Sequence, residues 1–329
     1  MTNTKSTIIS PPKVIFSIRS GFDALTENLG LLIFPFILDI FLWFGPHLGF
    51  FSVIEKMIND IKNAPDMMLN QDLQSIMKAN QDIWLLIGKK VNVFTMLRTY
   101  PVGVPSIMTS ILPVKTPLKT ALWIDLSSLA TVFIVTLLIS LFGILIGAYY
   151  FSVVSQSVLN GKADWITSLV NLPKKFLWSL LITLFWLVFL FVISIPASCI
   201  LTLGFLGGET FGKLIILLYG SIMLWIFIPI IFSVYGVFVF DLRVIQSIKE
   251  GIKTLNYTLP ATGIFLLVVF IISQGLDLVW RIPDESSWLL IIGVIGHAFV
   301  STGLLASSFI FYRDANKWSN KILLQRKSA

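Results

Sequence analysis

Charged residues are scarce in this sequence. Only 12% of its 329 residues are Asp, Glu, Lys or Arg, whereas 56% are hydrophobic. A soluble domain carries roughly 25% charged residues, and a disordered segment has low hydrophobicity, so the composition excludes both classes. We therefore expect a membrane protein.

Cysteine and histidine are nearly absent as well. The single cysteine, Cys199, cannot form a disulfide within the chain. The two histidines, His47 and His297, are too few for most hydrolytic schemes, and no HExxH, GxSxG, P-loop or CxxC motif occurs. We predict that the protein is not an enzyme and holds no metal and no cofactor.

Long apolar stretches are abundant instead. A helix needs roughly 20 residues to cross a hydrocarbon core about 30 Å thick. Six stretches are long enough, near residues 29–51, 126–154, 176–206, 214–240, 262–279 and 287–312. The predicted fold is an all-α, polytopic membrane bundle of six transmembrane helices. Its parts are an N-terminal cytoplasmic segment with an interfacial helix (1–28), the six-span domain (29–312) and a basic cytoplasmic tail (313–329).

The distribution of basic residues indicates the orientation. If both termini are cytoplasmic, the inner segments hold more than half of the 24 Lys and Arg, and the two short outer loops hold only Lys213 and Arg281. This asymmetry satisfies the positive-inside rule. The net charge of +7 is then explained by topology and by attraction to anionic headgroups. We predict the lipid bilayer as a partner and no nucleic acid.

The outer segment from Ser52 to Asp125 is too long for a simple loop. It carries apolar residues at helical spacing, for example Ile54, Ile58 and Ile61. A segment this apolar is not a solvated linker. We predict an amphipathic insertion (52–125) that packs on the outer membrane surface or caps the bundle.

A glycine-centred pattern occurs three times, each time before an odd-numbered span. It reads Ser, aliphatic, two variable residues, Gly, three variable residues and a large apolar residue. The copies are 17–25, 157–165 and 247–255, with Gly21, Gly161 and Gly251 at the fifth position. Amphipathic stretches of this kind lie in the headgroup plane. They predict three parallel repeats of an interfacial helix and two spans, unless the match arises by chance.

This layout carries a family resemblance. The six spans, the glycine-centred stretches and the ending Tyr312-Arg313-Asp314 resemble a bacterial six-helix membrane-domain family. Members precede the catalytic part of some glycerophosphodiester phosphodiesterases or stand alone as integral membrane proteins. The resemblance covers residues 14–316 except the insertion and implies a bacterial plasma membrane. No catalytic residue is carried over, because the family's hydrolase domain is a separate soluble barrel.

Two ionisable residues fall inside predicted spans. Asp39 lies about 15 Å from either membrane edge, where a carboxylate costs about 2.5 to 3.5 kcal/mol on insertion scales. His297 is the only ionisable group inside the last span. Either the two face one another in a proton-coupled or ligand-binding site, or Asp39 is protonated and hydrogen-bonded to a Ser or Thr of another helix. Near the outer end of the fifth span, Asp277 can pair with Arg281 across one helical turn.

Small residues mark two predicted helix-packing faces. Gly143 and Gly147 form a GxxxG motif in the second span, and Gly303 and Ser307 form a related pair in the sixth. Such pairs let two backbones approach closely. Packing within the chain and dimerisation both remain open.

Two functions remain open as well. The first is a non-enzymatic scaffold or accessory subunit that acts through lipid, another membrane protein or a second copy of itself. The second is a transporter or permease for a small or amphiphilic solute. A path for a polar solute needs several inward-facing polar groups, whereas these spans offer one Asp, one His and scattered Ser and Thr. The sequence therefore favours the first.

Overall fold

The computed structural model describes residues 11–63, 71–118, 120–206 and 208–328. These residues are mostly helical, so the all-α class is confirmed. The helices are α1 (Val14–Thr26), α2 (Ile33–Phe44), α3 (Phe51–Lys62), α4 (Gln71–Lys90), α5 (Met108–Ile111), α6 (Leu129–Asn160), α7 (Trp165–Val170), α8 (Leu172–Leu206), α9 (Glu209–Val239), α10 (Val244–Trp280) and α11 (Leu290–Ser328). Two short strands, β1 (His47–Gly49) and β2 (Trp123–Asp125), pair in parallel.

Within the described part of the chain, four helices are long and apolar enough to cross a membrane. They are α6, α8, α10 and α11, and a fifth crossing results if α1 and the bent segment after it count as one span. These helices fit a multi-pass membrane protein. The six predicted spans are not all confirmed, and within the described residues of α9 the apolar stretch is Thr210–Met223.

The first predicted span, 29–51, is not one continuous helix. Leu29–Leu32 is a 3-10 turn, and α2 has only 12 residues, which is about 18 Å of helix. The helix ends where Gly45 precedes Pro46, since the residue before a proline is disfavoured in the α conformation. The chain also bends by 91° between α1 and the segment Leu29–Phe44.

Helix α11 is the central helix of the bundle. Of its most apolar window, 61% is buried within the protein, against 11 to 17% for the other three candidate spans. It packs against α1, α6, α9 and α10, and its side chains Phe309, Phe311 and Tyr312 are buried in the main core. The helix continues to Ser328, so the predicted tail 313–329 begins inside a helix.

Helix α1 packs closely against α11. A Cβ atom on Gly21 would lie 2.2 Å from Ser307 Oγ and 2.4 Å from its backbone nitrogen. Ser307 Oγ lies 3.2 Å from the carbonyl oxygen of Ile18. One turn away, a Cβ on Gly303 would lie 2.6 Å from the ring of Phe22. The pair Gly303 and Ser307 thus packs within the chain, against α1.

The insertion is closed at its base. Residues 47–49 of β1 pair with residues 123–125 of β2. The Asp125 carboxylate accepts hydrogen bonds from the backbone N–H groups of Phe51 and Ser52 at 2.8 and 3.0 Å, which caps the start of α3. The predicted boundaries Ser52 and Asp125 therefore meet. Between them, Val102, Val104, Ile107 and Met108 are buried, so part of the insertion packs inside the bundle.

The three glycine-centred stretches adopt different conformations. Gly21 lies in the separate helix α1, whereas Gly161 ends α6 in a left-handed conformation, with φ of +74°. Gly251 is buried inside α10, which continues into a membrane-length helix without a break. The predicted repeat is not confirmed, because only the first copy forms a distinct helix before a short apolar one. The serines that open the copies, Ser17, Ser157 and Ser247, are all buried.

We expect Gly21→Ala to destabilise the protein by about 1 to 3 kcal/mol, because the added methyl group overpacks the contact with Ser307. The apparent unfolding temperature in detergent measures this. Gly275→Ala is the matched control, since a Cβ there meets nothing within 4 Å. Equal unfolding temperatures for both variants would contradict the close α1–α11 contact.

Candidate functional site

Asp39 is fully buried on α2 and accepts three hydrogen bonds. Ser106 Oγ donates to Oδ1 at 2.5 Å, and the backbone N–H of Met108 donates to the same oxygen at 3.1 Å. The N–H of Ile107 donates to Oδ2 at 3.3 Å. All three donors come from the insertion, so the buried carboxylate binds the segment that folds back into the bundle.

The N–H groups that Asp39 accepts lie at the start of α5. The first N–H groups of a helix have no partner within the helix, and a carboxylate at this end is stabilised by the local dipole. In a chain that spans a membrane, an unpaired backbone group at this depth would cost several kcal/mol. Asp39 therefore accepts hydrogen bonds from backbone N–H groups for which lipid acyl chains offer no acceptor.

His297 on α11 pairs with Asp277 on α10. Its Nδ1 lies 2.7 Å from Asp277 Oδ1, and Arg281 Nη2 lies 3.5 Å from Asp277 Oδ2. The imidazole is 5% exposed, and its Nε2 is buried without a hydrogen-bond partner. The predicted pair of Asp277 and Arg281 is present. Asp277 also pairs with His297, for which the sequence offered Asp39 as one possible partner.

Arg98 connects these groups. Its Nη1 donates to the carbonyl oxygen of Ser106 at 3.0 Å and to Thr109 Oγ1 at 2.8 Å. Arg98 also interacts electrostatically with Asp277, as His297 does with Asp39. We call these residues the outer polar cluster: Asp39, Arg98, Ser106, Asp277, Arg281 and His297. Within the described part of the chain, no group of three or more His, Cys, Asp or Glu could hold a metal ion.

The predicted direct pair of Asp39 and His297 is not what the structure shows. Both residues belong to the outer polar cluster, but each is hydrogen-bonded to another group. Of the two alternatives, a hydrogen bond between Asp39 and a serine is present, with Ser106 Oγ as the donor. Ser106 precedes a short helix of the insertion and does not lie on another spanning helix. Sequence reasoning missed Ser106 and Arg98. The signal for Arg98 was its position as the only charge in the apolar stretch 91–114.

The GxxxG motif of α6 packs against the insertion, at the end of the 3-10 helix Val93–Leu97 and at the non-helical segment around Gly103. A Cβ on Gly143 would lie 2.5 Å from the carbonyl oxygen of Leu97. A Cβ on Gly147 would lie 2.7 Å from the Cα of Gly103. Because neither glycine carries a side chain, the backbone of the insertion can pack directly on α6. The predicted packing face is therefore used within the chain.

A groove runs between α2 and α6. Residues of the insertion form part of its wall. Its volume is about 590 Å³, and all of its lining residues are apolar. They are Ile33, Phe34, Ile37, Leu38, Phe41, Phe94, Leu97, Val104, Leu138, Ile139, Phe142 and Ile146. We call it the α2–α6 groove. On its open side Ile37, Leu138 and Phe142 are each more than half exposed.

A second charged cluster lies at the opposite end of the bundle. Lys175 donates to the carbonyl oxygen of Val237, near the end of α9, and to Asp241 Oδ1 at 2.9 Å. Lys174 binds the other carboxylate oxygen and lies 4.6 Å from the Trp178 ring centroid. Partial burial favours the neutral acid, but the two lysines hold the pKa of Asp241 below its usual value. This cluster joins α8 to the end of α9.

Comparison with known proteins gives no match to a family model, a curated protein or a solved structure. The resemblance to the six-helix bacterial family stays a prediction. The geometry of the outer polar cluster and of the α2–α6 groove therefore carries the functional conclusion.

We expect Asp39→Asn to destabilise the protein by about 1 to 3 kcal/mol, because an amide offers a donor where the carboxylate accepted one. Loss of this acceptor also releases the segment 106–108. Thermal unfolding in detergent and the rate of proteolysis within 91–118 measure both effects.

Asp284→Asn provides the control, since Asp284 is exposed and caps only the adjacent Ser286. Its effect should stay within about 0.5 kcal/mol. A protein with Asp39→Asn that unfolds and is cleaved like the wild type would show that the carboxylate does not hold the insertion.

Proposed function

We propose that this chain is a non-enzymatic multi-pass protein of a bacterial plasma membrane that acts as a scaffold or accessory subunit by holding lipid. Both termini face the cytoplasm, and α2 and α9 complete six membrane-embedded segments. The connection between α1 and α2 and the loop after α6 lie at one end, where Asn28 Nδ2 donates to the carbonyl oxygen of Gly161 at 3.3 Å. This agrees with the orientation indicated by the basic residues.

The observation that carries the proposal is the α2–α6 groove. It is large, entirely apolar and open on one side. In a membrane such a groove faces acyl chains, and no polar group in it could coordinate a water-soluble substrate. The groove extends about 12 Å along α2 from Ile33 to Phe41. Its shape and chemistry fit one acyl chain.

The polar groups of the bundle support a structural role. Asp39 binds backbone donors, and Arg98 binds the same segment. Neither residue lines the α2–α6 groove. The polar side chains therefore hold the insertion in place, and the insertion in turn supplies Phe94, Leu97 and Val104 to the groove wall.

We expect Leu138→Trp to fill the α2–α6 groove and release most of the lipid that the purified protein retains in mild detergent. Native mass spectrometry counts the bound lipids. Leu137→Trp is the matched control because Leu137 is the preceding, half-exposed residue of the same helix and does not line the groove. Equal lipid retention by the two variants, both folded, would refute lipid holding by this groove.

Transport is the second candidate, and one observation favours it. His297 Nε2 is buried without a hydrogen-bond partner, beside a carboxylate and within the electrostatic reach of Asp39. Histidines inside membrane segments occur in the proton relays of pumps and transporters. A proton-coupled transporter would use such a group.

Proton flux separates the two functions. Under our proposal, proteoliposomes that contain a pH-sensitive dye should equilibrate an imposed pH difference no faster than empty liposomes. A transporter would conduct protons, and His297→Gln would abolish the flux while His47→Gln would not. Flux that depends on His297 would overturn the scaffold proposal.

A further inference from the structure

A polar recess lies beside one end of the α2–α6 groove. It has a volume of about 320 Å³ and is lined by Glu27, Asn28, Gly30, Lys162, Ala163 and Trp165. Its walls come from the turn between α1 and α2 and from the loop between α6 and α7. Both walls are at the end of the bundle that the proposed topology places in the cytoplasmic headgroup layer.

The recess and the groove share one aromatic wall. Phe34 lines the groove, Trp165 lines the recess, and their rings stack with centroids 5.7 Å apart at an interplanar angle of 12°. The same segment, one turn apart, supplies Gly30 to the recess and Phe34 to the groove. Tryptophan is enriched at this level of the membrane, where one side of the ring is apolar and the other is polar. A molecule with an apolar tail and a polar head can therefore occupy both spaces.

Hydrogen bonds of the Asn28 side chain hold the two walls of the recess together. The charged side chains of Glu27 and Lys162 take no part in them. Asn28 Oδ1 accepts from the backbone N–H of Ala163 at 2.8 Å, and its amide nitrogen donates to the carbonyl oxygens of Ala24 and Gly161. This clip joins the two walls. The recess is thus formed by contacts within the protein before any ligand binds.

The recess carries one anion and one cation. Glu27 and Lys162 are both exposed, and neither side chain has an ion-pair partner within 4 Å among the described residues. The neighbouring acids are engaged elsewhere: Asp23 pairs with Arg19, and Asp164 accepts from the backbone N–H of Thr167. A ligand that satisfies both free charges must itself carry one positive and one negative group.

We propose that the recess and the α2–α6 groove together form a site for a glycerophospholipid whose headgroup carries an ammonium group. Lys162 binds the phosphate, Glu27 binds the ammonium group, and one acyl chain lies in the groove. A lipid such as phosphatidylglycerol, whose phosphate is its only charged group, would satisfy Lys162 alone and would place no cation against Glu27. This inference rests on the proposed function, because it names the class of lipid that the groove holds.

Lipid selectivity tests the assignment. The full-length protein is reconstituted in nanodiscs of equal parts dioleoyl phosphatidylethanolamine (PE) and dioleoyl phosphatidylglycerol (PG). Phosphatidylcholine is left out, because its headgroup also carries a phosphate and an ammonium group. Native mass spectrometry after release into mild detergent then gives the ratio of PE to PG that stays bound. The wild-type protein should retain PE in excess over PG.

The two charges have separable effects. Glu27→Gln should lower the retained ratio of PE to PG by about fivefold, the effect of losing one charge pair near the membrane surface. Lys162→Gln should lower the retention of both lipids by about the same factor, since both carry the phosphate. Asp23→Asn and Lys249→Gln are the controls, as both residues are exposed and lie outside the recess. They should leave retention unchanged.

Two other results would overturn the inference. Preferential retention of PG by the wild type, or a ratio insensitive to Glu27→Gln, would show that the headgroup assignment is wrong. If Leu138→Trp still releases lipid in that case, the groove holds lipid without this headgroup preference, and the proposed function stands. If Leu138→Trp has no effect, both proposals fail together.

Discussion

Irregular backbone inside a membrane bundle needs hydrogen-bond partners from the protein itself, and the rest of this structure depends on how that need is met. The insertion enters the bundle beside Gly143 and Gly147, which leave room for its backbone. Asp39 then accepts the exposed N–H groups of Ile107 and Met108. Without these acceptors, the apolar residues from Val102 to Met108 would be buried together with unpaired backbone N–H groups.

The outer polar cluster and the α2–α6 groove are therefore two sides of one arrangement. On one side Arg98 and Asp39 hold the returning segment, and on the other side Phe94, Leu97 and Val104 close the groove. A charged residue in a membrane span suggests a functional site by default. Here the carboxyl group of Asp39 holds the segment that lines an apolar site, without itself touching what that site would hold.

The all-α fold class and the ends of the insertion could be predicted from the sequence. Both depend on long apolar runs and on the places where these runs are interrupted, which can be read directly along the chain. Ser52 and Asp125 were predicted as its boundaries and do meet in the structure. The partner of Asp39 could not be predicted, because Ser106 lies 67 positions further along the chain and no pattern in the sequence between them fixes the return path. The equivalence of Gly21, Gly161 and Gly251 is not confirmed, because glycine serves close packing and helix termination equally well.

The closure at the base of the insertion divides it into two parts with different tolerance to change. Parallel strands lie about 4.8 Å apart, so the pairing of β1 with β2 brings the two ends of the insertion together. Helices α3 and α4 pack against one another beyond this point, whereas the buried residues from Val102 to Met108 lie within the bundle. The exposed end of α3, at Lys62 and Asn63, is thus a place where a rigid protein domain can be fused as a marker for electron microscopy. Such a fusion would leave the bundle, its outer polar cluster and its groove intact.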